Sequence, residues 1–129
     1  MEVLKAFNNH FMEFVEDISN YFNDSLEIKT TANALKAIRK ANPKLIINIW
    51  NDNIVTKYNE EIEAGNITFF LDKEYGNDLQ EMDNKNNVLM AIDKLRKPIK
   101  SMPKVDQEKS MKYIQNLSKL CKLYYLNRN

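Results

Sequence analysis

Glycine and proline are scarce in this sequence: 129 residues contain two of the first and three of the second. A β-sandwich or barrel needs turn residues at short, regular intervals, so all-β architectures are excluded. Gly65 and Gly76 alone cannot build a glycine-rich phosphate loop, which removes P-loop and dinucleotide-binding folds. His10 is the one histidine and Cys121 the one cysteine. They are too few for a zinc site and rule out an intramolecular disulfide. A Cys–His dyad built from this pair has no local signature behind it. Cys121 falls in an apolar stripe, where a buried structural thiol is the expectation. No run approaches the roughly 20 apolar residues of a membrane span. The N-terminus lacks the charged region and apolar run of a secretory signal. These absences lead to the expectation of a soluble protein of a reducing compartment, not an enzyme, without cofactor or metal.

What is present suits a globular chain. Hydrophobic residues make up 43% and charged residues 29%, close to the usual values for folded domains. A chain of this length buries about two-thirds of its unfolded surface, so a single domain spanning 1–129 is expected. Eighteen asparagines and sixteen lysines stand against three arginines. With the frequent Ile, Tyr and Phe, this usage points to an AT-rich genome, a matter of codons and not of chemistry.

Apolar periodicity gives the secondary structure. Val3, Leu4, Phe7, Phe11, Phe14, Val15, Ile18 and Phe22 recur at spacings of three and four, a single helical stripe over about 3–21. Asn23, Asp24 and Ser25 break it. Ile28, Ala32, Leu35 and Ile38 mark a second helix ending near Lys40. Ile47, Trp50, Ile54, Tyr58 and Ile62 mark a third, from Pro43 to about Ala64, with Leu45, Ile46 and Ile49 widening its first half. Gly65 suits the residue after a helix, where a positive φ is wanted. Asn66 suits a new cap, and Ile67–Leu71 reads as a short helix because no second strand is available to pair with it. The stretch EYGNDLQEMDNKNN is the best loop candidate. Among its acids, Glu74, Asp78 and Asp83, with Asp72 before them, do not follow the calcium-loop spacing and read as solvated. A fourth helix buries Val88, Leu89, Ile92 and Leu95, with Pro98 bending or ending it. The last runs from about Val105 to Leu126 on Met111, Ile114, Leu117, Cys121 and Tyr124 or Tyr125, supported by Leu120. The expected fold is therefore all-α, a single-domain bundle of about five to six helices. Most aromatic side chains fall at core spacing; Tyr124 and Tyr125 are the expected exposed pair.

The stretch Arg39-Lys40-Ala41-Asn42-Pro43-Lys44 admits two readings, a helix hinge and a binding site. Cations in the last turn of a helix favour the negative end of its macrodipole. Asn42 is a good N-cap by its side chain, at a cost of about 1 kcal/mol if replaced by alanine. Pro43 suits the first helical position and turns Asn42 out of helical geometry. Every residue has a helix-terminus role, so the hinge reading is preferred.

Charge is laid out unevenly. Residues 1–83 hold eight bases and fifteen acids; residues 84–129 hold eleven bases and three acids, so the halves carry −7 and +8. The basic half attracts phosphates or an acidic protein face, docks on the acidic half of its own chain, or drives a homo-oligomer between unlike halves. Its candidate interaction surface is Lys94, Arg96, Lys97, Lys100 and Lys104. Nucleic-acid readers favour the planar fork of arginine, and this half has only Arg96 and Arg128. A protein partner is therefore preferred, with nucleic acid as the alternative.

The segments LKAFNNHFMEFVEDI, ALKAIRKANPKLIINIW, GNITFFLDKEY and KYIQNLSKL, in that order, resemble a group of small uncharacterised proteins of giant, nucleocytoplasmic large DNA viruses of algae and protists. The resemblance covers nearly the whole chain. It implies a viral gene product of the host-cell cytoplasm or the virion, with a viral or host protein as partner. It brings no catalytic residue, cofactor or substrate. The expected function is a non-enzymatic interaction or virion-associated module; the alternative is a nucleic-acid-binding accessory using the basic C-terminal hairpin.

Overall fold

The computed structural model describes residues 2–72 and 84–127, the side chains of 84–86 and 127 excepted. Helix α1 spans Glu2–Tyr21 and α2 spans Leu26–Ala41. The third helix, α3, is built of Leu45–Trp50, a π turn at Asn51–Val55, and Thr56–Glu63. Then come α4, Thr68–Asp72; α5, Asn84–Lys100; and α6, Lys104–Asn127. The fold is an all-α bundle, with no strand among the described residues.

α6, at 24 residues, is about 36 Å long and packs against α1, α3 and α5. Asp17 meets Lys109 while His10 lies beside Tyr113, so α1 runs antiparallel to α6. Ile47 lies against Cys121, Trp50 against Ser118 and Ile62 against Gln115, so α3 is antiparallel to α6 as well. α2 turns back along α1, with Lys36 at Glu16 and Pro43 at Asn8. α5 covers α2 and α3, and the short α4 leans on α5.

The apolar stripes meet in one core. Trp50 sits at its centre, 1% exposed. Phe7 and Phe11 approach it edge-on at 6.2 and 6.1 Å, the geometry ring quadrupoles prefer. Its indole N–H donates to Ser118 Oγ at 3.1 Å, so the one polar atom of the largest core side chain is satisfied. Tyr124 is buried and Tyr125 half-buried, its hydroxyl donating to Asn48 Oδ1. The stripe therefore does continue to Tyr124, and the expectation that the two are exposed is corrected. They lie on the α3-facing side of α6, and Leu123 and Leu126 take the outward positions.

Helix ends follow capping chemistry, with one shift from expectation. Ser25 Oγ accepts from the Ile28 N–H at 3.2 Å and starts α2. Gly65, at φ +75°, closes α3 as expected. Its N–H reaches Ile62 O at 3.1 Å and the Asn66 N–H reaches Glu61 O at 2.9 Å, the paired bonds of a Schellman stop. Asn66 Oδ1 then accepts from the Thr68 N–H at 3.1 Å and starts α4. Asn42 does not cap α3 by its side chain. It ends α2 instead, at φ −146° and ψ 88°, with its N–H on Ile38 O. Helical hydrogen bonding resumes only at Leu45, whose N–H reaches Asn42 O at 3.1 Å. Pro43 and Lys44 occupy the turn between the helices.

Three further expectations change. α3 is not a uniform α-helix. At the π turn the Thr56 N–H bonds Asn51 O, and Tyr58 departs to φ −129°, ψ 26°. The hydroxyl of Thr56 and the amide of Asn53 donate back to Asp52 O and Ile49 O, at 2.9 and 3.1 Å. Pro98 does not end α5, which continues to Lys100. A proline in the last turn removes one N–H while the remaining carbonyls find other donors. Ser101 donates to Pro98 O from both its N–H and its hydroxyl, at 3.1 and 2.8 Å. The expected loop gives residues 84–87 to α5, and its remaining residues, with Glu74, Asp78 and Asp83, lie outside the described residues.

Candidate functional site

The five basic residues predicted as one surface do not stay together. Lys94, Lys97, Lys100 and Lys104 are exposed. Arg96 is 4% exposed and belongs to the interior, so it is removed from that surface. One guanidinium nitrogen donates to Leu71 O, a carbonyl in the last turn of α4, and Nε lies 3.6 Å from Asp93 Oδ1. An arginine carries five donors in a rigid fork, and here that fork clamps α4 onto α5. The sequence held the signal: Arg96 is four residues after Ile92 and three before Ile99, on the apolar stripe itself.

Among the exposed four, Lys100 meets Asp72 at 3.3 Å, with both side chains more than 60% exposed. Lys109 meets Asp17 at 3.2 Å, which raises the lysine pKa through that hydrogen bond and charge. These two contacts, and Lys36 with Glu16 at 3.5 Å, are solvent-facing pairs worth little to the fold. Among the described residues, ion pairs thus join the basic half to the acidic half at two places. Lys94, Lys97 and Lys104 make no ion pair among the described residues. Lys94 rims a groove of about 420 Å³ between α2 and α5, walled by Ala34, Ala37, Ile38 and Met90.

A second cationic group is gathered where sequence reasoning preferred a hinge. Lys36, Arg39 and Lys40, at spacings of three and four, share one face of α2. The antiparallel packing of α1 brings Lys5 opposite them. The four surround a cleft of about 360 Å³ between the start of α1 and the end of α2, walled by Leu4 and Pro43. Arg39 donates to Asn9 Oδ1 through one nitrogen. Asn8 contributes to the cleft lining and is 3% exposed. Its amide donates to Pro43 O at 2.9 Å, while its Oδ1 has no hydrogen-bond partner. Sequence reasoning held Lys36, Arg39 and Lys40 but not Lys5, because no pattern along the chain says which helix faces which.

Comparison with family models, with curated proteins and with solved structures finds no match. The chemistry of the remaining reactive groups is therefore read from geometry alone. Cys121 is fully buried, its thiol 3.6 Å from Ile47 O. Burial, then the charge of Asp52, pushes its pKa up to about 12. A thiol held protonated is a poor nucleophile. His10 lies elsewhere, its Nδ1 3.3 Å from Glu13 Oε1 and its ring 4.9 Å from that of Tyr113. Cys121 contacts α3 instead, at Ile47 and Asn51. No cluster of three or more metal-binding side chains occurs among the described residues. Among them, too, no helix is long and apolar enough to cross a membrane.

Proposed function

We propose that the protein is a non-enzymatic interaction module whose contact face is the lysine-rich corner where α5 turns into α6. The observation that carries this reading is the exposure of Lys94, Lys97, Lys100 and Lys104, of which Lys100 alone makes an ion pair among the described residues. Val105 stands among them at 75% exposure. Uncompensated cations steer an acidic partner into register, and an aliphatic side chain between them supplies apolar contact area. The partner is an acidic protein face, viral or host, met in the host-cell cytoplasm or the virion. That setting rests on the likeness of the four quoted segments to giant-virus proteins.

The test is recovery of bound proteins by the tagged chain from infected-cell lysate, with and without nuclease. The triple variant Lys97→Glu, Lys100→Glu, Lys104→Glu is run beside it. A discrete protein that survives nuclease and is lost with the variant is the expected result. Binding that vanishes with nuclease and falls steeply with salt makes the same lysines a phosphate-contacting surface, the alternative reading. Binding indifferent to the variant refutes both.

A further inference from the structure

The cleft between α1 and α2 is expensive for the fold and unexplained by it. Lys5 lies in the first turn of its helix, where a cation opposes the macrodipole. Lys5 and Lys40 have no ion-pair partner among the described residues. Lys36 shares Glu16 at 3.5 Å, with both side chains about half exposed, and Arg39 is bonded to a neutral amide. Like charges are thus gathered around one opening, and among the described residues Glu16, outside the cleft lining, is the one carboxylate paired with any of them. Below them the cleft is walled by the apolar surfaces of Leu4 and Pro43. Asn8, almost wholly buried, is left with one acceptor oxygen to spare. An unmatched buried acceptor is costly to the fold, and a small turn of the Asn8 side chain presents it to a donor in the cleft, which relieves that cost. Small-molecule sites are largely apolar concavities of a few hundred cubic ångströms with a few convergent polar groups, and this cleft has that make-up.

We infer that the cleft binds a small phosphate ester. The phosphoryl group takes Lys5, Lys36, Arg39 and Lys40. The organic body lies on Leu4 and Pro43, and a donor on that body serves the spare oxygen of Asn8. The three demands are separable by probe. Inorganic phosphate offers the anion alone, phenyl phosphate adds an apolar body, and adenosine monophosphate adds amino and hydroxyl donors. This site is independent of the α5–α6 corner, so the two readings stand or fall apart.

The experiment is titration of the full chain with these three compounds, followed by amide chemical shifts and by calorimetry. Adenosine monophosphate is expected to bind at least tenfold more tightly than inorganic phosphate, with phenyl phosphate between them. Shift changes should centre on residues 4–9 and 36–43. The variant Lys5→Gln, Lys40→Gln removes two exposed charges that make no ion pair among the described residues, and should weaken binding at least tenfold. Lys57→Gln, Lys112→Gln should bind as the parent does. Three results overturn the inference: no binding at millimolar ligand, an affinity for inorganic phosphate equal to that for the esters, or binding unchanged in the Lys5, Lys40 variant. Shift changes centred on the α5–α6 corner would overturn the location.

Discussion

Replacing Arg96 with alanine should cost the fold about 4 kcal/mol, a loss outside the range of surface substitutions. Two parts make up this figure. The side chain is 5% exposed, so truncation to Cβ removes two buried methylenes, at about 0.8 kcal/mol each. It also deletes a charge-assisted bond to Leu71 O, worth about 1.5–3 kcal/mol. The Asp93 contact, at 3.6 Å, is left out of this figure. Arg96→Met keeps most of the stem and loses only the bond, so it should cost about half as much. Urea denaturation followed by Trp50 fluorescence is the assay, since that indole lies in the core against Ser118. With a slope near 1.5 kcal/mol per molar urea, the alanine variant should lower the midpoint by about 2–3 M. Lys97→Ala, exposed on the next residue, should stay within about 0.5 kcal/mol of the parent. If Arg96→Ala unfolds at the parental midpoint, the clamp between α4 and α5 does not exist and Arg96 returns to the surface.

Other outcomes follow from caps, backbone and the buried thiol. Gly65→Ala should cost about 1 kcal/mol in thermal or urea unfolding. The strain is purely in the backbone, because a Cβ there meets Gln115 Nε2 at an ordinary 3.6 Å. Ser25→Ala should cost about 1 kcal/mol by loss of the Ile28 cap bond. Asn42→Ala, whose cap bonds are made by the main chain, should cost a few tenths; the paired midpoints check both. Cys121 should resist a disulfide reagent at pH 8 in the folded protein and react at once in denaturant. Its folded pKa lies above the unfolded value, so its contribution to stability is complete below about pH 9 and is lost as pH rises toward about 12. Unfolding midpoints across that interval, compared with those of Cys121→Ala, isolate it.

Helix existence and core membership were legible because apolar residues at spacings of three and four report directly on which face is covered. The stripe Leu4, Phe7, Phe11, Val15 and Ile18 is buried as written. Gly65 and Asn66 were legible for a local reason: a left-handed residue and a side-chain cap are one-residue properties. Asn42 misled because two neighbouring helices compete for it, and the chain used its backbone to end α2 instead of its side chain to begin α3. The helical start at Asn84 was hidden by a run of polar residues with no apolar period. Lys5 could not be joined to Lys36, Arg39 and Lys40 from sequence, since pairing between helices is decided by packing across 30 or more residues. Arg96 was legible in part: its position lay on the stripe, but its charge was given more weight than its spacing.

The π turn at Asn51–Val55 has a mechanical meaning. It holds one residue more than an α turn, and each residue of an α-helix advances the direction of view by about 100°. The inserted residue therefore indexes the second half of α3 against the first, like a key cut between two wards of a lock. Trp50 can look into the core while Ile62 still offers its carbonyl to Gln115 at 2.9 Å. Shortening that turn by one residue would leave a smoother helix whose far end faces the wrong way. The Schellman stop and everything docked after it would swing with it. In this chain a count of residues, more than the chemistry of any one of them, sets the heading of α4.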